Sequence, residues 1–234
     1  LAAAEAEADV IIWDGGNNDF PFVRPDVQLT VADPLRPGHE VRYHPGETNL
    51  RRADIVVINK VDQAADGDIE VVADNVRALN PGATVVRAAS PVTLGPGPSL
   101  AGQRVVVVED GPTITHGGMP YGAGSVAARE AGAAELVDPR PWAVGSIAAT
   151  YAAYPDIGPV LPAMGYGTEQ IEELAQTLRA AECDVVVSGT PIDLARLVDI
   201  DHPIRRVTYE LVEQGEPDLA EALADHLAVW TGQR

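Results

Sequence analysis

The sequence predicts an α/β fold in which a mainly parallel sheet carries helices on both faces. Three observations predict it. Short apolar runs rich in β-branched residues, at 55–58 and 105–108, are typical of strands buried on both faces. Helical segments alternate with such runs along the chain, which is the order of a parallel sheet. Several runs end directly in polar or Gly-rich stretches, where open α/β sheets bind ligands.

The strands and helices are expected in a regular order. Pro, Gly and Asn punctuate them, because these residues end helices and form turns. The predicted strands are 9–14, 27–31, 55–58, 85–90, 104–108, 134–137, 159–164, 184–187 and 204–211. The predicted helices are 69–79, a helix ending near 131, 146–153, 168–181 and 218–230.

The composition limits the class of protein. The chain has 35 acidic residues against 16 basic ones and a net charge of −19, so we expect neither nucleic acid nor an anionic membrane as partner. No apolar run approaches the ~20 residues that a membrane span needs. One cysteine excludes an internal disulfide framework and suits a reducing cytosol, which favours a cytoplasmic protein. Such acidity with a single lysine is typical of an archaeal or halophilic cytoplasm, or of a GC-rich genome that replaces Lys with Arg.

The motif Asn59-Lys60-Val61-Asp62 stands at the end of the predicted strand 55–58 and contains the only lysine in the chain. In P-loop GTPases an NKxD motif in this position reads a purine base. The Asp carboxylate accepts from guanine N1–H and N2–H₂, the Asn amide bonds the N7/O6 edge, and the Lys stem packs on the ring. We therefore interpret Asn59, Lys60 and Asp62 as nucleotide-binding, against the alternative of a chance polar strand end. Ser90 ends the next strand in a loop that would back the base.

Asp14 closes the predicted strand 9–14. An Asp in that position is the Walker B arrangement, which holds Mg²⁺ directly or through water. Asp19 is near enough in sequence to share the metal or to orient a nucleophile as a catalytic residue. A helix cap with a turn is the alternative for both residues.

A basic loop follows the strand 27–31. It contains four arginines and two histidines in a chain that is otherwise strongly acidic. Because arginine forks match phosphate and carboxylate oxygens, we expect a multiply anionic substrate here. The candidate substrate-binding residues are Arg36, His39, Arg42, His44, Arg51 and Arg52, and Arg42 is also a catalytic candidate for charge stabilisation. A salt-bridged surface loop is the alternative.

A second candidate site is the loop 109–124, between a strand and a helix. Strand, Gly-rich loop and helix is the order in which backbone N–H groups cradle an anion. The polar candidates are Glu109, Asp110, Thr113, Thr115 and His116. His116 is a candidate general base or phosphate donor, with a structural turn histidine as the alternative.

No G-x-x-x-x-G-K-[ST] motif is present. The fold is therefore predicted as an incomplete P-loop NTPase-like sheet with a second α/β segment. We expect residues 1–90 to be the C-terminal half of a P-loop NTPase-like domain, 91–103 a linker, and 104–234 a second α/β unit. The P-loop is expected in an N-terminal part of the same protein, so that residues 1–234 alone would be inactive.

Five stretches together carry a family resemblance. They are Trp13–Phe22, Arg36–Glu40 with Tyr43–Asn49, Asn59–Asp62, Glu109–Gly124 and Ser188–Leu194. In these stretches the chain resembles the cyclic 2,3-diphosphoglycerate synthetase family, over nearly its whole length. Up to Asp62 it is more distantly similar to the lipid A 4′-kinase.

The resemblance implies a ligase that uses ATP and Mg²⁺ to close 2,3-bisphosphoglycerate into an intramolecular phosphoanhydride. The basic loop would hold the phosphates, and Asp14 would hold the metal. The motif Asn59–Asp62 suggests GTP instead of ATP, since Asp62 is its guanine-selective member. A regulatory or metallochaperone-like GTPase is the alternative function, and a non-catalytic binding domain is a third. Assembly of copies into a homo-oligomer is left open.

Overall fold

The computed structural model describes residues 1–16, 19–115 and 119–231. The chain divides into two compact units. Unit 1 comprises Leu1–Pro91 and Glu210–Arg234, and unit 2 comprises Val92–Tyr209.

Unit 1 is a four-stranded sheet with helices. In chain order its elements are α1 (Ala2–Glu5), β1 (Leu29–Ala32), a 3-10 helix (His39–Val41), α2 (Gly46–Arg52), β2 (Ile55–Ile58), α3 (Asp66–Leu79), β3 (Thr84–Ala89), and, after unit 2, β10 (Val212–Glu213) and α8 (Leu219–Thr231). The strand order is β1-β2-β3-β10, in which β1, β2 and β3 are parallel and β10 is antiparallel to β3.

The side chains of β2 show why this sheet has helices on both faces. Successive residues of a strand point to opposite faces, and all four residues of Ile55–Ile58 are at most 1% exposed. Val56 and Ile58 pack with residues of α3, whereas Ile55 and Val57 pack with Ala222 of α8. Each face of the strand therefore has its own apolar cover.

Unit 2 is a larger, mainly parallel sheet with helices. Its elements are β4 (Val92–Leu94), β5 (Arg104–Asp110), α4 (Gly111–Thr115), α5 (Ala123–Glu130), β6 (Glu135–Leu136), a 3-10 helix (Arg140–Trp142), α6 (Gly145–Ala153), β7 (Leu161–Ala163), α7 (Thr168–Ala180), β8 (Val185–Gly189), a 3-10 helix (Leu194–Arg196) and β9 (Ile204–Tyr209). The strand order is β4-β9-β8-β5-β6, and β7 also pairs with β5. Only the β4–β9 pair is antiparallel in this part of the described structure.

The α/β class with a mainly parallel sheet is thus confirmed, and most predicted elements lie within a few residues of the observed ones. The chain between β1 and β2, expected to be irregular, contains the helix α2 instead. Its Leu50 is fully buried and anchors the helix to the core.

The predicted strand 9–14 is wrong. These residues have no regular secondary structure, and Val10 and Ile12 are 74% and 87% exposed. A strand needs a neighbour for its backbone hydrogen bonds. Among the described residues, β1 is the edge of the unit 1 sheet and pairs only with β2.

The structure divides the chain differently from the expected 1–90, 91–103 and 104–234. Val92–Leu94, expected in a linker, pairs with β9 because its apolar side chains pack on the unit 2 core. The C-terminal segment returns to unit 1, where β10 pairs with β3 and α8 covers Ile55 and Val57. None of the described helices is long and apolar enough to cross a membrane.

Candidate functional site

The carboxyl ends of β1, β2 and β3 meet at one edge of the unit 1 sheet, because the three strands are parallel. The backbone fixes the Asn59–Asp62 motif to both neighbouring strands. The N–H of Asn59 donates to the carbonyl of Ala32 at 3.0 Å, and the N–H of Val61 donates to the carbonyl of Ala88 at 3.1 Å. The motif is therefore held at the sheet edge where ligands bind in open α/β folds.

Asp62 and Ser90 are brought together at this edge. The N–H of Ser90 donates to Oδ1 of Asp62 at 2.9 Å, and the side chain of Gln63 donates to the carbonyl of Ser90 at 3.0 Å. Asp62 itself is exposed, while Ser90 is buried. The loop after β3 thus orients the carboxylate while leaving the side chain open to solvent.

The side chain of Asn59 has a buried oxygen, Oδ1, for which the described residues provide no hydrogen-bond partner. A buried acceptor without a partner costs free energy and calls for an explanation. Asn59 stands at the carboxyl edge of the sheet, so a ligand bound there is the natural source of the missing donor.

Lys60 is held by a carboxylate that the sequence analysis did not single out. Its Nζ lies 2.9 Å from Oδ2 of Asp33, and the guanidinium of Arg36 lies 3.0 Å from the same oxygen. Asp33 directly follows β1, and the N–H of Leu35 also donates to it, at 3.1 Å. Lys60 has φ of 59°, a left-handed conformation that is uncommon for a residue other than glycine. The two observations together indicate a fixed local geometry.

The pKa of Asp33 reflects this pairing. Burial raises it, but the hydrogen bond and charge of Lys60, with Arg36 and the N–H of Leu35, outweigh burial and hold the pKa below the ordinary 3.8. Asp33 is therefore ionised at neutral pH. An Asp that directly follows a strand next to the motif strand was the sequence signal that could have identified it.

The basic loop does not keep all its cations available. Arg36 pairs with Asp33, and Arg51 pairs with Glu47 at 2.7 Å. The remaining four, which are exposed, are His39, Arg42, His44 and Arg52. The alternative of a salt-bridged surface loop thus holds for two of the six residues.

Aromatic rings flank the two histidines of the loop. His39 packs edge-on against Tyr43 with ring centroids 4.9 Å apart, and His44 packs edge-on against Phe20 at 5.4 Å. Each imidazole is therefore in contact with an aromatic ring.

Asp14 and Asp19 lie in an exposed segment without regular structure. Oδ2 of Asp19 accepts the N–H of Gly16 at 2.9 Å, and its carbonyl accepts Nδ2 of Asn49 at 3.1 Å. The described polar contacts of Asp19 are therefore hydrogen bonds within the chain. Within the described ranges no group of three or more His, Cys, Asp or Glu side chains is arranged to hold a metal ion.

In unit 2, the carboxylate of Glu109 fills the expected anion cradle. Its Oε1 accepts the N–H of Gly122 at 3.0 Å, the N–H of Ser125 at 2.8 Å and the hydroxyl of Ser125 at 2.9 Å. Its Oε2 accepts the N–H of Gly124 at 3.3 Å. Glu109 is 1% exposed. The start of α5 is thus satisfied from within the chain, and the expectation that it receives an external anion is wrong.

Of the other polar candidates in the loop 109–124, three make hydrogen bonds within the chain. Asp110 accepts the hydroxyl of Thr113 at 3.0 Å, and Thr115 donates to the carbonyl of Gly111 at 2.8 Å. His116 lies outside the described residues.

Comparison with known proteins supports a nucleotide-binding role. Residues 7–87 match the family described as CobW/HypB/UreG, nucleotide-binding domain. This range contains the Asn59–Asp62 motif and the basic loop. Residues 7–87 are therefore similar to a nucleotide-binding domain of this family, which agrees with the P-loop NTPase-like sheet of unit 1.

Three relatives are named synthetases. Arginine synthetase ArcE of Thermococcus kodakarensis is 56% identical over 225 residues, which cover 96% of this chain and 50% of that protein. Cyclic 2,3-diphosphoglycerate synthetase of Thermococcus sibiricus is 25% identical over 111 residues, or 47% of this chain and 25% of that protein. The Pyrococcus furiosus protein of the same name is 24% identical over 83 residues, or 36% and 19%.

The chain spans about half the length of the arginine synthetase relative and a quarter or less of the length of the other two. The names of all three relatives point to a ligase-type enzyme. The likeness to the cyclic 2,3-diphosphoglycerate synthetases is distant, and it supports the broader family only.

Proposed function

We propose that the chain binds a purine nucleotide at the carboxyl edge of the unit 1 sheet and belongs to a nucleotide-dependent synthetase that forms arginine. The buried, unpartnered Oδ1 of Asn59 carries the nucleotide part of the proposal. The relative named arginine synthetase supports the product, because its identity of 56% extends over both units.

The residues at this edge fit a purine. The amide of Asn59 offers an acceptor and donors, so it can pair with either adenine or guanine. Asp62 is oriented by Ser90 and is the member that would favour guanine. ATP and GTP are both candidates, and Asp62 is the residue that distinguishes them.

The only lysine in the chain, Lys60, is paired with Asp33, so it is not free to neutralise the nucleotide's phosphates. We propose that a P-loop in another part of the same protein binds the phosphates, and we expect negligible hydrolysis by residues 1–234 alone. Asp14 is the proposed Mg²⁺ ligand, because magnesium in nucleotide sites commonly uses one or two carboxylates with the phosphates. When bound, the Mg–nucleotide would supply a phosphoryl group that activates the substrate.

Titration of a fluorescent purine nucleotide into the chain tests the base site. Asn59→Ala should weaken binding by about tenfold, because it removes a buried polar contact. Asp66→Asn, at an exposed position seven residues further on, is the control and should change nothing. Asp62→Asn that abolishes GTP binding and spares ATP binding would identify guanine as the natural base. Equal affinity of the wild type and Asn59→Ala would remove Asn59 from the site.

A second candidate reaction is the cyclisation of 2,3-bisphosphoglycerate. The four exposed residues of the basic loop, His39, Arg42, His44 and Arg52, favour it, since a substrate with two phosphates and a carboxylate needs several cations. A regulatory or metallochaperone-like GTPase is favoured by the match of residues 7–87. Assays of the full-length enzyme for arginine formation and for consumption of 2,3-bisphosphoglycerate separate the three candidate functions. A regulatory GTPase would hydrolyse nucleotide without forming arginine or consuming 2,3-bisphosphoglycerate.

A further inference from the structure

The unit 2 sheet has its own topological switch point, between β5 and β8. From β5 the chain continues to β6 and β7 on one side of that strand, whereas β8 lies on its other side and leads to β9. In open α/β sheets, ligands bind outside the carboxyl ends of the strands where the strand order reverses in this way. Asp110 ends β5 at this point, Ser188 and Gly189 end β8, and Thr190 follows β8.

The hydroxyl groups of Ser188 and Thr190 at this edge already donate hydrogen bonds within the chain. The hydroxyl of Thr190 donates to the carbonyl of Ile192 at 3.1 Å. Oγ of Ser188 lies 3.1 Å from Oγ1 of Thr190, so Ser188 must be the donor of that pair. Ser188 and Thr190 are 0% and 2% exposed. The oxygens of these two side chains can therefore still accept hydrogen bonds, but they have no further proton to donate.

Asp110 adds a charged acceptor. One of its oxygens, Oδ2, accepts the hydroxyl of Thr113 at 3.0 Å, and a carboxylate has room for several donors. Arg206 of β9 is in register with Ser188 of β8, and its guanidinium donates to the carbonyl of Pro191 at 2.7 Å. The groups between β5 and β8 therefore have negative charge and acceptors to offer.

Tyr166, after β7, has a buried hydroxyl oxygen that lacks a hydrogen-bond partner among the described residues. Burial raises the pKa of Tyr166; the neighbouring Thr190 side chain lowers it and the charge of Asp110 raises it. The phenol is therefore protonated at neutral pH, and the charge of Asp110 acts on it. A buried hydroxyl without a partner costs free energy, which a ligand at this edge would recover.

We propose that the carboxyl edge of the unit 2 sheet, between β5 and β8, binds a small organic cation with several N–H donors, of the guanidinium class. Asp110 pairs with the positive charge, and Ser188 and Tyr166 take part as hydrogen-bonding groups. This inference rests on the proposed function in identifying the cation as the guanidinium end of arginine. A phosphate would meet Asp110 and committed hydroxyls, and it is disfavoured here.

Calorimetric titration of L-arginine and of agmatine into the full chain tests the site, at about 0.15 M salt so that nonspecific attraction to the acidic surface is screened. Both ligands should bind, because both carry the guanidinium. Asp110→Asn should weaken binding by about tenfold or more, and Tyr166→Phe by a few-fold. The matched controls, Asp156→Asn and Tyr209→Phe, remove the same groups from exposed positions of unit 2 and should change affinity less than twofold.

Several outcomes would overturn the proposal. Failure of both ligands to bind would do so, and so would binding of arginine without agmatine, which would assign recognition to the carboxylate. Tighter binding of 2,3-bisphosphoglycerate in Asp110→Asn than in Asp156→Asn would mark an anion site. Circular dichroism excludes unfolding of Asp110→Asn, and Tyr166→Phe provides a second, conservative variant.

The same samples distinguish this inference from the proposed function. If the fluorescent nucleotide binds and arginine does not, even at saturating nucleotide, only the cation site fails. If arginine binds and the nucleotide does not, the nucleotide site in unit 1 fails and the cation site stands.

Discussion

The ammonium of Lys60 lies 2.9 Å from the carboxylate of Asp33, so the residues that follow two neighbouring parallel strands are joined by an ion pair. The side chain of Asp33 is 16% exposed and that of Lys60 34%. The pair holds Lys60 of the Asn59–Asp62 motif in place without a ligand, and under the proposed function it makes Asp33 a positioning residue.

Asp33→Asn should lower the free energy of unfolding at pH 7 by about 1–2 kcal/mol, because Lys60 and Arg36 lose their shared partner. The folded-state pKa of Asp33 is below its ordinary value, so its contribution is present above about pH 4 and is lost as the pH falls through the folded pKa. Urea unfolding of both proteins from pH 7 to pH 3 measures this. The control Glu47→Gln breaks a more exposed ion pair and should cost at most about 0.5 kcal/mol. A difference between wild type and Asp33→Asn that grows below pH 4 would contradict the assignment.

Glu109→Ala should destabilise the protein by about 3 kcal/mol, since four donors in a buried position lose their acceptor. Glu109→Gln should cost only about 1 kcal/mol, because an amide oxygen can keep the three bonds that Oε1 accepts and loses only the longest one. Denaturant unfolding at pH 7 measures both variants. Equal losses in the two would mean that these hydrogen bonds contribute little.

The same side chain predicts a pH dependence. Burial raises the pKa of Glu109 above the ordinary 4.5, and the hydrogen bonds from Ser125, Gly122 and Gly124 oppose this effect. When the folded pKa is the higher one, the contribution to stability is complete below the unfolded pKa and is lost as the pH rises through the folded pKa. The unfolding free energy of the wild type, minus that of Glu109→Gln, should therefore fall as the pH rises from about 4. A rise over that range would show that ionised Glu109 is the stabilising form.

Glycines around Glu109 provide an independent check of its position. A Cβ at Gly122 would lie 2.5 Å from Oε2 of Glu109, and a Cβ at Gly189 would also meet that oxygen. Either Gly→Ala variant should lose about 1–3 kcal/mol through overpacking. Gly67→Ala is the matched control, because Gly67 lies in α3 with nothing within 4 Å of its Cβ. It should stabilise the protein by about 0.5–1 kcal/mol. Thermal unfolding of the three variants measures these changes in stability. If Gly122→Ala left the stability unchanged, the Glu109 side chain would not lie next to Gly122.

The exposed cations of the basic loop predict the response to an anionic ligand. If they form a substrate site, 2,3-bisphosphoglycerate should raise the melting temperature by a few degrees. The double variant Arg42→Ala with Arg52→Ala should abolish the shift. Arg51→Ala with Arg77→Ala changes the net charge equally but removes arginines that are already ion-paired, and it should keep the shift. No shift in the wild type would show that the loop is not a sufficient site.

Much of the fold and part of the site follow from local sequence signals. Asn59, Asp62 and Ser90 were predicted at one edge because parallel strands end together, and the structure joins Asp62 to Ser90. Asp33 was missed, although it directly follows β1, because that position alone does not identify a partner 27 residues away, Lys60. The direction of the Glu109 side chain was equally invisible, because the same loop composition suits an external anion and an internal carboxylate. The strand expected at 9–14 failed for a different reason: an apolar run becomes a strand only where a neighbour pairs with it.

The insertion of Val92–Tyr209 between the two segments of unit 1 has a consequence for synthesis on the ribosome. All of unit 2 is translated before β10 and α8, so it can complete its fold while unit 1 is still missing its last strand and helix. Until Leu219, Ala222 and Leu223 emerge, the face of β2 that carries Ile55 and Val57 lacks the part of its cover that α8 supplies. We therefore expect part of this apolar face to stay exposed while the inserted unit is translated, a state in which chaperones protect nascent chains.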